Sequence, residues 1–301
     1  MSIDLAGFLG PLTPEGAMGL LDSGTVTHLP RDGATPLADH LGWDLVSFLV
    51  ARQSASPQSL RVYKAGRRLP AAMYSTRDAR PRLDWEALGA LARQGVGIVF
   101  GQVRDASPAL HRLWAEAERC FRLPVRVGVV ATFGKGNALR PHYDDHDIIN
   151  LQTVGSKGWT FLGEPERDPH PDPAHQDGLE PGEATKTVTL GPGDILLVPR
   201  GHWHRCWSEE GNVQVSLLLE RRTGRSFAEW LARRCGDLEG MGRSLPLRPG
   251  PEDVAELEAD IKERMVAAIR GASLAAFLEE RGGGDGLPGL LPPVPGPGDR
   301  G

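Results

Sequence analysis

The segment ALRPHYDDHDIINLQTVGSKGW, from Ala138 to Trp159, combines two histidines, three aspartates and a lysine with the apolar residues of a β-strand. Side chains two positions apart on an extended strand point to the same side, so His142 and Asp144 would present an imidazole and a carboxylate together. Further along, GPGDILLVPRGHWHRCW reaches His204 after a strand and a turn. Two histidines and one carboxylate on one face of a metal leave the other positions open, as non-haem Fe(II) oxygen chemistry requires. A closed structural zinc site would instead use four protein ligands, usually with cysteine.

Other polar residues of these two segments compete for the same role. His202 lies close to His204 and could replace it, although the motif spacing described below favours His204. His146 shares the side of the predicted ligands, but a third ligand from one strand would exceed the needs of a single ion. We therefore expect His146 to tune the site or to contact substrate. Asp145 and Asp147 alternate to the opposite side, where we expect solvated charges.

Further polar residues follow on neighbouring strands. Lys157 begins the strand after the Gly155-Ser156 turn. A cation at this point could pair with the distal carboxylate of a 2-oxoglutarate molecule whose keto-acid end chelates the metal. Asn150 has the same strand parity as the predicted ligands and could donate a hydrogen bond into the site. Gln214 and Ser216 share one face of a later strand and are also candidates for cosubstrate contacts, with ordinary strand polarity as the alternative.

Short strands surround these residues. RVGVVATF, HDIINLQTV, GWTFLG, TKTVTL, DILLVP and VQVSLLLE are apolar segments separated by Gly/Pro turns, a rhythm typical of a β-barrel or sandwich rather than of βαβ units. Upstream, the pattern predicts helices over DWEALGALARQG and SPALHRLWAEAERCF. The polar, Pro-rich loop from Glu164 to Ala184 is too long for a tight hairpin, so we expect it to be mobile and able to serve as a lid.

Two motifs in this part of the chain resemble the paired metal-binding motifs of the cupins. Gly136 and His142 have the spacing of the first motif, with Asp144 in place of its second histidine. Gly193 leads through a Pro and a Gly to His204, as in the second motif. Each half alone is a weak signal, but both occur in order in a chain that reads as a barrel.

The segments PHYDDHD, LQTVGSKGW and PGDILLVPRGHWH resemble the JmjC family of Fe(II)/2-oxoglutarate oxygenases, most closely its ribosomal-oxygenase branch, over roughly residues 40–220. The resemblance implies a mainly β fold, a double-stranded β-helix of the cupin or jelly-roll type, with flanking N-terminal helices and a C-terminal helical segment. The residues that match the iron ligands are His142, Asp144 and His204. Lys157 matches the 2-oxoglutarate carboxylate partner, and Thr132 lies where relatives often have a hydroxyl residue near the cosubstrate.

The resemblance implies hydroxylation of a C–H bond of an amino-acid side chain in a protein or peptide, with Fe(II), 2-oxoglutarate and O2. Asp144 favours hydroxylation over halogenation, because a halogenase needs a small residue there so that chloride can bind. Demethylation uses the same oxidant and stays open, as does a small-molecule or carrier-bound substrate. Two further classes are a metal-dependent cupin that does not use 2-oxoglutarate, against which Lys157 argues, and a catalytically silent binding module, against which the complete triad argues.

The predicted catalytic domain spans residues 1–220, and a helical segment over residues 221–282 follows it. PEDVAELEADIKERMVAAIRGASLAAFLEE reads as one helix whose apolar stripe predicts a homodimer interface, since the ribosomal-oxygenase branch has a dimerisation region here; packing on its own barrel is the alternative. The stripe consists of Val254, Leu257, Ile261, Met265 and Ile269. Residues 283–301 are Gly/Pro-rich and predicted to be disordered. Members of that branch continue into a winged-helix domain where this chain stops, which weakens the expectation of a ribosomal protein substrate.

Composition limits the partners and the compartment. The 301 residues carry a net charge of −5 without a block of Lys or Arg, so no nucleic-acid partner is expected. No apolar run is long enough to predict a membrane span, and the N-terminus lacks the pattern of a signal peptide. Three scattered cysteines indicate neither a disulfide framework nor a zinc cluster. These features predict a cytoplasmic protein that acts on a protein, peptide or small-molecule substrate.

Overall fold

The computed structural model describes residues 4–31, 37–136, 139–247 and 250–280. The chain divides after Glu220 into two compact units. The segment 283–301, which the sequence predicts to be disordered, lies outside the described residues. Among the helices that the structure describes, none is long and apolar enough to cross a membrane.

The first unit contributes six α-helices from the described ranges. They are α1 (Leu5–Leu9), α2 (Pro14–Asp22), α3 (Ala38–Leu41), α4 (Trp43–Arg52), α5 (Trp85–Ala92) and α6 (Pro108–Phe121). Both helices expected from the sequence are present, as α5 and α6. The Asp84 carboxylate caps α5, and the Ser107 hydroxyl caps α6, which has Pro108 in its first turn. The apolar side of α6, including Leu110 and Leu113, is buried against the sheet described next.

Eleven strands of the described chain form two antiparallel sheets. They are β1 (Thr27–Leu29), β2 (Arg61–Lys64), β3 (Arg67–Arg68), β4 (Gly97–Phe100), β5 (Val125–Thr132), β6 (Asp147–Val154), β7 (Lys157–Leu162), β8 (Ala184–Leu190), β9 (Ile195–Val198), β10 (His204–Trp207) and β11 (Asn212–Leu219). The large sheet has the order β1-β9-β6-β11-β5-β4-β2-β3, and the small sheet has the order β10-β7-β8. Each apolar segment that the sequence predicts as a strand is one of these.

Alternation along the strands gives the large sheet two different faces. On β5, Val127 and Val129 pack into a core shared with the N-terminal helices, whereas Gly128 and Thr132 line an internal cavity. On β11 the same alternation places Ser216 at the cavity. The helices therefore cover one face, and the other face is left to carry polar side chains.

The small sheet closes the far side of the cavity. Trp159 and Phe161 of β7 cluster with Ile148 of β6 and with Leu196 and Val198 of β9. Because these side chains are almost completely buried, the cluster joins the two sheets through apolar contact. The polar cavity lies beside it, in the barrel interior that the strand rhythm predicts.

The second unit consists of three helices in its described residues: α7 (Gly224–Gly236), α8 (Pro251–Gly271) and α9 (Leu274–Glu279). The sequence reads as one helix through residues 251–280, but the structure ends α8 at Gly271 and starts α9 after Ser273, whose hydroxyl caps the new helix. Glycine disfavours a helix interior and serine favours an N-cap, which explains the break. Within this unit, Phe277 of α9 packs on Trp230 of α7, with ring centroids 5.7 Å apart.

Candidate metal centre

Three predicted ligands meet at one end of the cavity. The donor atoms of His142, Asp144 and His204 all lie within 4.8 Å of one another. Oδ2 of Asp144 is 4.0 Å from Nε2 of His142 and 3.7 Å from Nε2 of His204. His202 is not part of this cluster; its Nδ1 lies 2.9 Å from the Pro199 carbonyl oxygen. The structure thus brings together the two half-sites that the sequence places far apart.

Backbone hydrogen bonds hold the ligands in place. His142 and His204 form an isolated antiparallel bridge in which the amide of each donates to the carbonyl of the other, at 3.0 and 2.8 Å. The Gly201 amide donates to the Asp144 carbonyl at 2.8 Å. Gly201 has φ +84°, and a Cβ there would lie 2.2 Å from the Glu166 carbonyl oxygen, so this turn requires glycine.

Both ligand imidazoles are oriented through the nitrogen that faces away from the cluster. Nδ1 of His142 lies 2.8 Å from the Arg140 carbonyl oxygen, and Nδ1 of His204 lies 2.9 Å from the His202 carbonyl oxygen. Since a carbonyl can only accept, each Nδ1 donates, and each Nε2 keeps its lone pair for the cluster. Metal-binding histidines usually have such a partner on the second nitrogen.

The electrostatics favour the protonation states that a metal needs. Burial alone would raise the pKa of Asp144, but the imidazoles of His146, His142 and His204 outweigh it and hold the pKa below its ordinary value. Burial, with a contribution from His142, lowers the pKa of His204 to about 4. At neutral pH the site therefore contains a carboxylate and a neutral buried imidazole, which are the forms that bind divalent metals.

Lys157 is a buried cation that lines the same cavity. Burial lowers the pKa of its ammonium group, and no carboxylate in the described ranges lies within ion-pair distance of it. Its neighbour Cys206 offers no countercharge, because burial raises the pKa of that thiol to about 12. The Trp159 ring centroid is 5.9 Å from Nζ, a weak electrostatic contact. A buried ammonium group in this setting fits an anionic ligand.

The four remaining predicted residues also line this cavity of about 240 Å³; they are Thr132, Asn150, Gln214 and Ser216. Each is buried. Oδ1 of Asn150 accepts from the Ser216 hydroxyl and, at 3.4 Å, from Nε2 of Gln214. This leaves Nδ2 of Asn150 and Oε1 of Gln214 buried without a partner among the described residues. Buried polar groups are normally hydrogen-bonded, so these two atoms also fit a polar ligand in the cavity.

The structure adds cavity residues that the sequence did not single out. Arg61 reaches the cavity from β2, and Arg126 reaches it from β5. Arg126 lies 3.1 Å from Nδ1 of His146 and 2.7 Å from the Glu220 carboxylate. His146 also lines the cavity, with Nε2 3.9 Å from the Asp144 carboxylate, and it lies outside the donor cluster.

One expectation about this segment is wrong. Asp147 is fully buried rather than solvated, and its carboxylate accepts a hydrogen bond from the Arg200 amide at 2.9 Å. Every residue of β6 from Asp147 to Thr153 is buried, so both faces of this strand are covered and alternation does not bring one set of its side chains into solvent. Asp145 does lie near the surface, where its carboxylate is 2.8 Å from Nδ1 of His146.

Comparison with known families shows what the part of the chain that carries this site resembles. Residues 105–227 match the model of the JmjC domain. This segment is therefore similar to JmjC domains. It contains all eight residues predicted for the site, from Thr132 to Ser216.

Relatives of the chain include two ribosomal oxygenases and a bifunctional demethylase and hydroxylase. The ribosomal protein uL16 3-hydroxylase of Escherichia coli is 31% identical over 143 residues, which are 44% of this chain and 38% of that protein. Ribosomal oxygenase 2 of Rattus norvegicus is 29% identical over 195 residues, 61% of this chain and 40% of that protein. The bifunctional lysine-specific demethylase and histidyl-hydroxylase NO66 of Drosophila persimilis is 26% identical over 148 residues, 48% of this chain and 22% of that protein. The matches thus span less than half of each relative.

A solved structure shares the fold of this chain. The E. coli ribosomal oxygenase YcfD, solved with cobalt and succinic acid, aligns with a TM-score of 0.51 and 18% identity over 83% of this chain and 64% of that one. The predicted double-stranded β-helix with flanking helices is confirmed by this likeness and by the two facing sheets.

Proposed function

We propose that the protein is an Fe(II)- and 2-oxoglutarate-dependent dioxygenase that hydroxylates an amino-acid side chain in a protein or peptide. The observation that carries this proposal is the position of Lys157, a buried cation without a described countercharge, in the same cavity as the His142, Asp144 and His204 cluster. The donor cluster fits a bound metal, and the lysine fits the second carboxylate of a bound dicarboxylate. A metal-dependent cupin that does not use 2-oxoglutarate would have no need for the lysine.

The residues present fit the implied groups. His142, Asp144 and His204 would hold Fe(II), and the open positions of such a triad accommodate a chelating keto acid and oxygen. When bound, the metal with 2-oxoglutarate and O2 supplies an oxidant able to attack an unactivated C–H bond. Lys157 would bind the distal carboxylate of 2-oxoglutarate. The unpartnered amide atoms of Asn150 and Gln214 would bond to the same molecule, together with the hydroxyls of Thr132 and Ser216.

The protein's own part in the reaction is to orient and to exclude water. The Nδ1 hydrogen bonds fix the two imidazoles, and the backbone bridge fixes the distance between them. The apolar cluster between the sheets keeps the inner wall dry, which strengthens electrostatic contacts with a bound anion. Asp144 completes the triad with a carboxylate and so favours transfer of oxygen, not of halide, to the substrate.

A protein or peptide is the substrate class we propose. The relatives are named for action on ribosomal protein uL16, on histidyl residues and on lysine residues, all of them protein side chains. We prefer hydroxylation over demethylation because both of these relatives are named as hydroxylases, whereas only one is also named as a demethylase. A ribosomal protein substrate would be met in the cytoplasm, which is the location we propose.

The experiment is a search for oxygen gain in candidate polypeptides. The purified protein is incubated with Fe(II), 2-oxoglutarate and tryptic or intact proteins from cell extract, and mass spectrometry identifies peptides that gain one oxygen. We expect at least one such peptide, absent when 2-oxoglutarate is omitted or when His204→Ala replaces the wild type. If the oxygen gain appears only on small molecules, the substrate class is wrong; if 2-oxoglutarate is not consumed by the wild type, the reaction class is wrong.

For the second unit we propose a dimerisation segment over residues 221–282, with residues 1–220 as the catalytic domain. The apolar stripe of α8 supports this proposal. Val254, Met265 and Ile269 are 45%, 36% and 49% exposed, although their apolar side chains would be more stable out of water. A second copy would bury the stripe on both chains.

A further inference from the structure

The residue between the first two ligands has a partner that metal chemistry alone does not require. Tyr143 lies between His142 and Asp144 and is buried. The amide and carbonyl of His142 both point to His204, so those of Tyr143 point the opposite way, as they alternate along any extended chain. No strand pairs with the chain on that side in the described sheets.

The side chain of Gln176 occupies that side. Its Oε1 accepts from the Tyr143 amide at 3.2 Å, and its Nε2 donates to the Tyr143 carbonyl at 3.0 Å. One carboxamide thus meets both backbone groups, as the peptide group of a neighbouring strand would. Gln176 is itself buried, at 8% exposure, so water does not replace it readily.

We propose that Gln176 is a positioning residue of the metal centre, which fixes the short segment between His142 and Asp144 through the backbone of Tyr143. This inference rests on the proposed function, because it takes His142 and Asp144 to be metal ligands. Gln176 touches no donor atom of the cluster. Its effect passes through the backbone to the spacing of the imidazole and the carboxylate.

The Tyr143 ring extends the effect to the second half-site. It meets Trp203 edge to face, with ring centroids 4.9 Å apart at 90°, and both pack with Leu162 in a small buried cluster. Trp203 directly precedes His204. A displacement of Tyr143 would therefore disturb the spacing on both sides of the bridge.

This arrangement changes the expected role of the loop from Glu164 to Ala184. The sequence predicts a mobile lid, but Pro173–Gln176 form a short 3-10 helix that carries Gln176 to the back of the ligand segment. The next residue, Asp177, bonds to the Arg140 side chain at 2.5 Å, at the exposed surface. Part of the loop therefore supports the ligands from behind instead of covering the cavity.

The test compares three variants of the full chain: Gln176→Ala, Gln176→Glu and the control Asp177→Ala. A glutamate can accept from the Tyr143 amide but cannot donate to its carbonyl, so it removes half of the contact. Asp177→Ala removes a neighbouring loop contact with the Arg140 side chain, while the Arg140 carbonyl that orients His142 belongs to the backbone and is kept. Co(II) serves as the probe, with its affinity measured by competition with a chelator and its visible d–d spectrum recorded; amide hydrogen exchange of Tyr143 is measured without metal.

We expect Gln176→Ala to weaken Co(II) binding about 10- to 100-fold, the usual effect of removing groups that orient metal ligands. Its d–d spectrum should change and the Tyr143 amide should exchange faster. The Co(II) affinity of Gln176→Glu should lie between those of the wild type and Gln176→Ala, with the Tyr143 amide still protected from exchange. Asp177→Ala should match the wild type. If Gln176→Ala does not fold, Gln176→Glu alone tests the proposal, through its intermediate Co(II) affinity and its protected Tyr143 amide.

Wild-type affinity and spectrum in both Gln176 variants would overturn this inference and leave the proposed function intact. Equal losses in Gln176→Ala and Asp177→Ala would also overturn it, because the effect would then belong to loop attachment in general. Absence of Co(II) binding by the wild type would instead overturn the proposed function, and this inference with it.

Discussion

The backbones of His142 and His204 pair through two hydrogen bonds of 3.0 and 2.8 Å, although the residues come from distant segments and different motifs. Each residue therefore positions the other without using its side chain. The imidazoles remain free to bind a metal, and their separation follows from antiparallel geometry, not from side-chain packing. The metal centre should consequently depend on side-chain identity for binding and on the bridge for its shape.

The choice between the histidines of HWH can be tested directly. His204→Ala removes a donor of the cluster, and we expect metal affinity to fall by more than about 100-fold, above the usual effect of losing an orienting group. His202→Ala should bind metal as the wild type does, because the carbonyl that orients His204 belongs to the backbone and is kept. Co(II) titration of both variants measures this. Full binding by His204→Ala with loss in His202→Ala would reverse the assignment.

Lys157 should govern 2-oxoglutarate and not the metal. Lys157→Ala removes a desolvated charge partner, which typically costs about 2–5 kcal/mol, hence roughly 30- to several-thousand-fold in apparent affinity for the cosubstrate. Metal affinity should change little. The measurement is the 2-oxoglutarate dependence of succinate formation, with Lys135→Ala as the matched control, since Lys135 is an exposed lysine paired with Glu209. An unchanged Michaelis constant in Lys157→Ala would contradict the cosubstrate assignment.

The metal-free protein should lose stability in acid through His204. Burial depresses the pKa of His204 to about 4 from an ordinary 6.5. Below pH 6.5 the unfolded chain takes up a proton that the folded chain refuses, so the contribution to stability is complete above pH 6.5 and is lost as the pH falls to about 4. Urea unfolding of the metal-free wild type and of His204→Gln, at several pH values across this range, measures the difference. If the free energy of unfolding falls equally with pH in both proteins, His204 is not the group responsible.

The oligomeric state tests the second unit. If the α8 stripe is covered by a second copy, light scattering at micromolar concentration should give a dimer mass for the full chain. Met265→Glu with Ile269→Glu places charges in the stripe, and the mass should fall to that of a monomer, while Glu263→Gln on the same helix keeps the dimer. Truncation before Pro251 should likewise give a monomer with its metal site intact. A monomeric wild type would contradict the dimer without affecting the metal centre.

The metal ligands were predictable because their signal is local. Each half-site lies within a few residues, and the polarity of Asn150, Gln214 and Ser216 in otherwise apolar strands indicates an internal polar face. The strands themselves follow from apolar runs between glycines and prolines. Parity then places the polar residues at one cavity, as observed.

What could not be predicted depends on long-range register. Arg61 reaches the cavity only because β2 pairs with β4, and no spacing in the sequence indicates that pairing. The burial of Asp147 depends on the Arg200 amide from another turn. Gln176 resembles any polar loop residue until its contact with Tyr143 is seen.

The most direct measurement is an anaerobic titration of the metal-free protein with Fe(II) and 2-oxoglutarate, followed by visible absorption. A keto acid chelated to Fe(II) in a triad of this kind gives a weak charge-transfer band. The account predicts that the band forms in the wild type, is absent in His204→Ala, and in Lys157→Ala appears only at much higher 2-oxoglutarate. A wild type that binds Fe(II) but gives no band at saturating 2-oxoglutarate would contradict the assignment of this site.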